Sequence, residues 1–207
     1  QRPDPELACS LLLDHLGHSG LETLPWGPRS QQLRERLALL HQHRGLPWPA
    51  RDWESLARNL PEWLGPSLLG CTGLGDFSED QLIEALWGEV SWQQRQSLNQ
   101  LLPESLLIPS GRQARLDYRD GEVCLAVKLQ EMFGCLETPR VLEGRLPVTL
   151  ELLSPAGRPL QRTQDLEGFW RSSYHDVRRD MRGRYPKHPW PDNPATAIAT
   201  AGTNKRR

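Results

Sequence analysis

Basic side chains at helical spacing near the end of this sequence are the residues best suited to bind an anion. Arg171, His175, Arg178 and Arg182 are separated by 4, 3 and 4 positions, so on one helix they would lie within about 60° of one another. Arginine guanidinium groups match the geometry of phosphate. Further cations precede and follow this segment. The candidate nucleic-acid-binding residues are Arg158, Arg162, Arg171, Arg178, Arg182, Arg184 and Lys187.

The same cations also fit a second interpretation, an ordinary solvated surface. Glu167, Asp176 and Asp180 lie in the same segment and would offset its charge, and runs of surface charge are common on helices. Neighbouring Tyr185 and Trp190 rings could stack on bases, which favours the binding interpretation. The sequence leaves both interpretations open.

The distribution of charge shows that positive charge accumulates towards the C-terminus. The net charge of the whole chain is −1. Residues 1–102 hold 8 Lys and Arg against 13 Asp and Glu, whereas residues 103–207 hold 17 against 13. From Arg158 onward the count is 11 against 5. This asymmetry favours an anionic partner at the C-terminal end or a solvated basic surface there.

Motifs for catalysis, nucleotide binding or metal binding are missing from the chain. It has no Gly-x-x-x-x-Gly-Lys-Ser/Thr loop and no Gly-x-Ser-x-Gly elbow. The histidine pairs lack a matching set of Cys or carboxylate ligands. We therefore predict no catalytic residue, no metal site and no cofactor within this segment. The cysteines have no C-x-x-C spacing, which favours reduced thiols in the cytoplasm; they are Cys9, Cys71, Cys124 and Cys135.

The elements that would position these residues begin with a helical half. Apolar residues recur there at three- and four-residue spacings between Pro and Gly breaks. Helices are expected at Glu6–Leu16, Ser30–His43 and Asp52–Leu64, with Pro61 ending or kinking the third. Capping-box spacings of Ser78 with Gln81 and of Ser91 with Gln94 predict two more. The first helix carries its apolar residues at Leu7, Leu11, Leu12 and Leu16.

After Pro103 the hydrophobic period falls from 3.6 towards 2, which predicts strands. An antiparallel hairpin is expected between residues 113–119 and 122–128, around the turn at Asp120-Gly121. Its second strand is apolar on both faces, as in a covered central strand. Another strand is expected at Val148–Leu153, and a final helix at about Asp165–Arg182 should close over the sheet.

The stretch GRYPKHPWPDNP, residues 183–194, contains four prolines and cannot form a helix or a central strand. We interpret it first as a stiff strap packed on its own domain and second as a ligand-facing surface. In this interpretation Arg184, Lys187 and His188 face outward beside Arg178 and Arg182.

Together these patterns predict an α+β fold. A helical accessory subdomain (1–102) would be followed by an α+β C-terminal subdomain (103–194). The second would hold a small, mainly antiparallel sheet covered by the C-terminal helix and the Pro-rich strap. Residues 195–207 are expected to form a disordered basic tail. No apolar run approaches the ~18 residues of a membrane span, so no membrane contact is expected.

Three ordered stretches of the C-terminal half carry a family resemblance. They are LAVKLQEMFG (Leu125–Gly134), LPVTLELLSPAGRPLQRTQDLEGFW (Leu146–Trp170) and MRGRYPKHPWPDNP (Met181–Pro194). These stretches resemble the C-terminal region of the bacterial HrpB-type DEAH-box ATP-dependent helicases, and LPEWLGPSLLG (Leu60–Gly70) is similar to the segment that precedes it there. The similarity extends over nearly the whole chain.

The resemblance implies a longer parent with two RecA-like motor domains, then winged-helix, helical and OB-like domains, and last this region. The chain begins with Gln rather than Met, in keeping with a piece of a longer protein. ATP and Mg²⁺ would be bound by the parent's motor, whose P-loop lysine and Asp-Glu-x-His motif have no counterpart here.

The hypothesis for function is an accessory C-terminal region of an ATP-dependent RNA helicase. Its partners would be the parent's motor domains and RNA phosphates. The alternative is an interaction or structural module that docks on the motor or on a partner protein without touching nucleic acid. Salt separates the two, because phosphate binding weakens steeply with salt and apolar docking does not. The sequence is silent on oligomeric state and RNA substrate.

The isolated chain is expected neither to bind nor to hydrolyse ATP, because it has no phosphate-binding loop. Nucleotide titration and a phosphate-release assay measure this. Turnover above buffer that survives repurification, and that one substitution within the chain abolishes, would contradict the prediction.

Overall fold

A computed structural model describes residues 4–88 and 90–202. They form two compact units, an N-terminal unit and a C-terminal unit, that divide between Asn99 and Gln100. This division lies inside a helix, a few residues before the change of hydrophobic period at Pro103. The helices of the N-terminal half are α1 (Pro5–Ser19), α2 (Pro28–Arg44), α3 (Trp53–Arg58), α4 (Leu60–Leu68), α5 (Glu79–Trp87) and α6 (Trp92–Leu101).

Capping interactions determine where these helices begin. At α5 the Gln81 backbone N–H donates to the Ser78 hydroxyl (3.3 Å), and the Ser78 N–H donates to the Gln81 side-chain oxygen (2.9 Å). Ser91 and Gln94 repeat the arrangement before α6, at 2.9 and 3.3 Å. Each pair satisfies two backbone donors that a helix start leaves open, so both capping-box predictions are confirmed.

Two details of the helical prediction are corrected by packing. The predicted third helix is two helices that divide at Asn59, so Pro61 sits in the first turn of α4, where it needs no N–H partner. Leu7 and Leu11 on α1 are exposed, at 58% and 61%. α1 instead buries Ala8, Cys9 and Leu16, because small residues allow close approach to α4, whose Gly65 carbonyl accepts from the Cys9 thiol at 3.4 Å.

The C-terminal unit holds all the strands of the described chain. They are β1 (Ser105–Leu107), β2 (Gln113–Arg115), β3 (Asp117–Arg119), β4 (Glu122–Lys128), β5 (Arg140–Val141), β6 (Leu146–Pro147), β7 (Thr149–Leu153) and β8 (Pro159–Thr163). The main sheet has the order β3-β4-β7-β8, and β1-β2 and β5-β6 form two small pairs. Two helices follow, α7 (Leu166–Arg171) and α8 (Tyr174–Arg182).

The mixed α+β fold with a mainly antiparallel sheet is confirmed, and β4 is central as predicted. One pairing differs from the rest, since β4 and β7 run parallel, with Leu125 beside Leu150 and Val127 beside Leu152. A parallel pair needs a long crossover, which here runs through a 3₁₀ helix at Leu129–Met132 and the β5-β6 pair. The predicted first strand of the hairpin is also divided, because β2 pairs with β1 and only β3 pairs with β4.

A single buried carboxylate, Glu131, joins the β1-β2 hairpin to the end of β4. The Arg112 guanidinium donates to both of its oxygens, at 2.7 and 2.9 Å. The Lys128 N–H donates to the same carboxylate at 3.0 Å, and the Ser110 N–H donates to the Glu131 carbonyl at 3.2 Å. Burial raises the pKa of Glu131, but hydrogen bonds from Arg112 and Lys128 outweigh it and leave the pKa below its usual range.

Glu131→Gln is expected to lower the free energy of unfolding by about 2 kcal/mol at neutral pH, because charge-assisted hydrogen bonds are lost. The depressed pKa means that the wild type has this stabilisation above its unfolded-state pKa of about 4.3 and loses it as pH falls through the lower folded-state pKa. Urea unfolding at neutral and acid pH measures the difference between the two proteins.

The matched control is Glu137→Gln, a change to an exposed carboxylate in the same loop, which should unfold like the wild type. Equal stability of Glu131→Gln and wild type at neutral pH, or a difference that grows on acidification, would contradict this role for Glu131.

Candidate nucleic-acid interface

The predicted final helix is interrupted where two serines follow each other. α7 ends at Arg171 and α8 begins at Tyr174, and Ser172 leaves the helical conformation with φ −115° and ψ −80°. The Ser172 hydroxyl donates to the Gly168 carbonyl at 2.7 Å, a local bond that competes with the backbone ladder. The prediction of one continuous helix is therefore wrong at residues 172–173. Arg171 belongs to α7 and is separated from the cations of α8.

The cations of α8 line an open groove of about 550 Å³ formed by His175, Arg178, Arg179, Arg182 and Gly183. Three of the four residues of the predicted basic face are thus brought together. Arg179 was missed, although its spacing of four from His175 and three from Arg182 was a usable signal. The groove runs along α8 from His175 to Gly183, and at its C-terminal end the partial negative charge of the helix favours cations.

Three of the seven predicted phosphate-binding residues are already paired with carboxylates. Arg162 contacts Glu122 and lies 3.8 Å from Glu151, and Arg171 lies 3.7 Å from Glu167. Arg178 is paired with Asp192. A guanidinium that is already paired with a carboxylate has fewer donors and less uncompensated charge left for a phosphate.

The other four predicted residues have no carboxylate partner in the part of the chain that the structure describes, and all are exposed. They are Arg158, Arg182, Arg184 and Lys187. Arg158 lies in the turn between β7 and β8, away from the others in sequence. Arg182, Arg184 and Lys187 lie within six residues, at the end of α8 and in the first part of the strap; we call these three the unpaired basic patch.

Arg178 holds the Pro-rich strap against α8. Its Nε donates to the Trp190 carbonyl at 2.9 Å, and its terminal nitrogen lies 2.6 Å from the Asp192 carboxylate. The side chain is only 24% exposed. The prediction that Arg178 faces outward is therefore corrected, because the strap carbonyl and Asp192 occupy the guanidinium.

Tyr174 makes the second attachment of the strap. Its hydroxyl donates to the Pro191 carbonyl at 2.8 Å, and within the strap the Trp190 indole N–H donates to the Tyr185 carbonyl at 2.9 Å. Burial raises the pKa of Tyr174 to about 12, so the hydroxyl keeps its proton. The interpretation of residues 183–194 as a strap packed on its own domain is confirmed.

His188 does not face outward as predicted. The residue is half-buried, its ring lies against Tyr185, and its Nδ1 is buried without a hydrogen-bond partner among the described residues. Burial lowers the pKa of His188, and the nearby charge of Lys128 lowers it further. The lowered pKa disfavours the charged imidazole, so His188 is not counted in the unpaired basic patch.

The segment after the strap is attached to the C-terminal unit. The Gly134 N–H donates to the Pro194 carbonyl at 2.9 Å, and the Thr200 N–H donates to the Gln130 carbonyl at 3.0 Å. Gly134 has a φ of +76°, and a Cβ there would lie 2.9 Å from the Ala197 carbonyl. The prediction of a disordered tail is therefore corrected for residues 195–200, because backbone hydrogen bonds attach this segment to the C-terminal unit. Residues 203–207 lie outside the described residues.

Other chemistry is sparse in the described part of the chain. No group of three or more His, Cys, Asp or Glu residues among residues 4–88 and 90–202 is placed to hold a metal ion. Across the same ranges no helix has the length and apolar character needed to cross a membrane. All four cysteines are free thiols, and burial raises the pKa of Cys71 and Cys135.

Comparison with known proteins identifies the family. The model of the family described as "ATP-dependent helicase C-terminal" matches residues 63–194. This chain belongs to that family. The helicase C-terminal chain is 40% identical, over 99% of its length, to the protein named ATP-dependent RNA helicase HrpB of Escherichia coli strain K12. The HrpB-type resemblance is confirmed.

Two solved structures agree with this assignment. A crystal structure of the E. coli DExH-box NTPase HrpB matches 97% of the chain with a TM-score of 0.84 and 39% identity. A crystal structure of the E. coli DEAH/RHA helicase HrpB matches 91% with a TM-score of 0.71 and 37% identity. The chain spans about a quarter of the length of these relatives, 24–26%.

Arg178→Ala is expected to lower the free energy of unfolding by about 2 kcal/mol, because it leaves the Trp190 carbonyl and Asp192 without their donor. For a protein of this size the melting temperature should fall by about 4–8 °C. Trp190→Ala should lower it as well, because the half-buried ring and its bond to Tyr185 are lost. Thermal unfolding followed by circular dichroism measures both.

Arg182→Ala is the matched control, since it removes an arginine from the next turn of the same helix without breaking an ion pair. Its melting temperature should stay within about 1 °C of the wild type. The strap has no stabilising role if Arg178→Ala and Trp190→Ala melt like Arg182→Ala.

Proposed function

We propose that this chain is an accessory C-terminal region of an ATP-dependent RNA helicase that supports the motor and binds RNA phosphates. The unpaired basic patch carries the proposal, because Arg182, Arg184 and Lys187 are exposed cations without carboxylate partners in the described chain. Such cations can bind a phosphate without first breaking an ion pair within the chain. The relative named an ATP-dependent RNA helicase supports RNA as the nucleic acid.

The proposed contact is with the RNA backbone rather than with bases. Tyr185 and Trp190 are the neighbouring aromatic residues, and both are half-buried and used within the strap. Because these two rings are used within the strap, the proposed recognition rests on phosphate charge, which is independent of sequence. The region would therefore hold RNA near the motor without selecting its sequence.

We assign ATP binding and hydrolysis to the rest of the longer protein. In this proposal its motor domains, outside the present chain, bind ATP with Mg²⁺ and hydrolyse it in the bacterial cytoplasm. The region described here then supplies phosphate contacts and a docking surface. The competing function, docking alone without RNA contact, is favoured by an exposed apolar groove described in the next subsection.

The variant Arg182→Ala/Arg184→Ala/Lys187→Ala is expected to weaken binding of a labelled single-stranded RNA by at least about tenfold at low salt, because three phosphate contacts are lost. The dependence of log Kd on log salt should become shallower by about 2. Fluorescence anisotropy titrations over a range of salt concentrations measure both quantities. The melting temperature should stay close to that of the wild type.

The control variant Arg119→Ala/Arg162→Ala/Arg171→Ala changes the net charge equally but removes cations that are already paired. It should bind RNA better than the patch variant. If the patch variant binds RNA like the wild type, or if both variants lose affinity equally, the patch is not a specific phosphate site.

A further inference from the structure

Strand β1 presents an open edge. Among the strands of residues 4–88 and 90–202 it pairs only with β2, with Leu106 opposite Ala114. The Leu116 N–H donates to the Glu104 carbonyl at 2.9 Å, and the Ile108 N–H donates to the Arg112 carbonyl at 3.0 Å. Because backbone groups alternate along an antiparallel ladder, residues 104, 106 and 108 face β2. The N–H and C=O groups of Ser105 and Leu107 therefore point away from it.

An apolar groove of about 600 Å³ adjoins this edge, and all its lining residues belong to the C-terminal unit. They are Leu106, Leu107, Ile108, Pro109, Gly111, Met132, Cys135, Pro139 and Arg140. Leu107 is 68% exposed, and Leu136, next to the lining Cys135, is 48% exposed. An added strand binds through main-chain hydrogen bonds and through pockets for its side chains. The unpaired backbone groups of β1 and the exposed leucines beside the groove provide both features.

Hydrogen bonds on both sides of the groove fix the segments that line it. Arg112 and Ser110 fix the β1-β2 hairpin to Glu131, as described above. On the other side the Cys135 thiol donates to the Glu137 carbonyl at 3.2 Å. A preformed site loses little conformational entropy on binding.

We propose that the groove and the open edge of β1 receive an extended apolar segment from another part of the same helicase polypeptide. The inference rests on the proposed function in taking its partner from that longer protein. The chain spans 26% of the relative that it matches, so most of such a polypeptide lies outside residues 1–207. The segment adds a strand through the backbone groups of Ser105 and Leu107 and places apolar side chains in the groove.

The size and charge of the site select this occupant over two others. A three-residue edge and a groove lined by nine residues are too small for a stable dimer interface, which takes about 20–30 residues from each partner. A segment of the same polypeptide binds at high effective concentration, so a small site suffices. RNA is disfavoured, because the single lining cation, Arg140, donates to the Gly144 and Arg145 carbonyls, at 2.5 and 3.4 Å.

Hydrogen–deuterium exchange resolved to single amides tests the proposal, with the 207-residue chain and the full-length helicase compared in the absence of RNA. In the 207-residue chain the Leu107 and Ser105 amides should exchange freely, while the bonded Ile108 amide is protected. In the full-length protein the Leu107 and Ser105 amides should slow by at least about tenfold. Because no RNA is present, failure of phosphate binding by the basic patch does not affect this result.

Leu107→Asp in the full-length protein should restore fast exchange at Ser105, since a carboxylate in the groove opposes burial of an apolar segment. Leu46→Asp, at a leucine that is 87% exposed in the N-terminal unit, is the control and should leave that exchange slow. Unchanged melting temperatures confirm that both variants fold.

Three outcomes would overturn the proposal. Equal exchange of Leu107 and Ser105 in the 207-residue and full-length proteins means that no other part of the polypeptide covers the edge. Protection that grows with the concentration of the 207-residue chain alone identifies a second copy as the occupant. Protection that arises only when RNA is added identifies nucleic acid.

Discussion

The buried phenol of Tyr174 is the contact on which the C-terminal unit depends most. Its ring lies at the centre of a cluster with Phe133, Phe169 and Trp170, with centroid distances of 5.6–6.4 Å. Its hydroxyl reaches out of the cluster to the strap carbonyl of Pro191. One side chain therefore joins the residue after the 3₁₀ helix, the two C-terminal helices and the strap. The ring contributes apolar burial, and the hydroxyl fixes the orientation that burial alone would leave undetermined.

This arrangement explains why the unpaired basic patch is exposed. Aromatic packing fixes the start of α8. The strap begins at the other end of that helix, and the bond from Arg178 to the Trp190 carbonyl sets its direction. Arg182 then lies in the last turn of α8, and Arg184 and Lys187 lie in the strap before its attachment at residues 190–192, where no acidic side chain of the described unit reaches them. Arg178 is used as a structural donor, whereas the three cations of the patch remain available to a ligand. Net charge alone does not make this distinction.

Local features of the fold were predictable from sequence, and features that depend on distant partners were not. The capping boxes at Ser78 and Ser91 act over three residues, and the turn at Asp120-Gly121 needs only a residue that tolerates positive φ. By contrast, the parallel pairing of β4 with β7 depends on how a crossover folds back. The role of Arg178 depends on a strap carbonyl twelve residues later. Spacing on a helical wheel placed Arg178 beside Arg182 correctly, but it carries no information on which guanidinium is already occupied.

The attachment of residues 194–200 has a consequence for the order in which the C-terminal unit can fold. Pro194 and Thr200 bond to Gly134 and Gln130, which precede them by 60 and 70 residues. Hairpins such as β3-β4 close over a two-residue turn and form early, whereas these bonds close long loops and come at a higher entropic cost. During synthesis the sheet strands leave the ribosome well before the segment that fastens the 3₁₀ helix after β4. Until that segment is made, the Gly134 N–H and the Gln130 carbonyl lack these partners, so the nascent unit is expected to be less stable than the finished one and more open to chaperones or proteases.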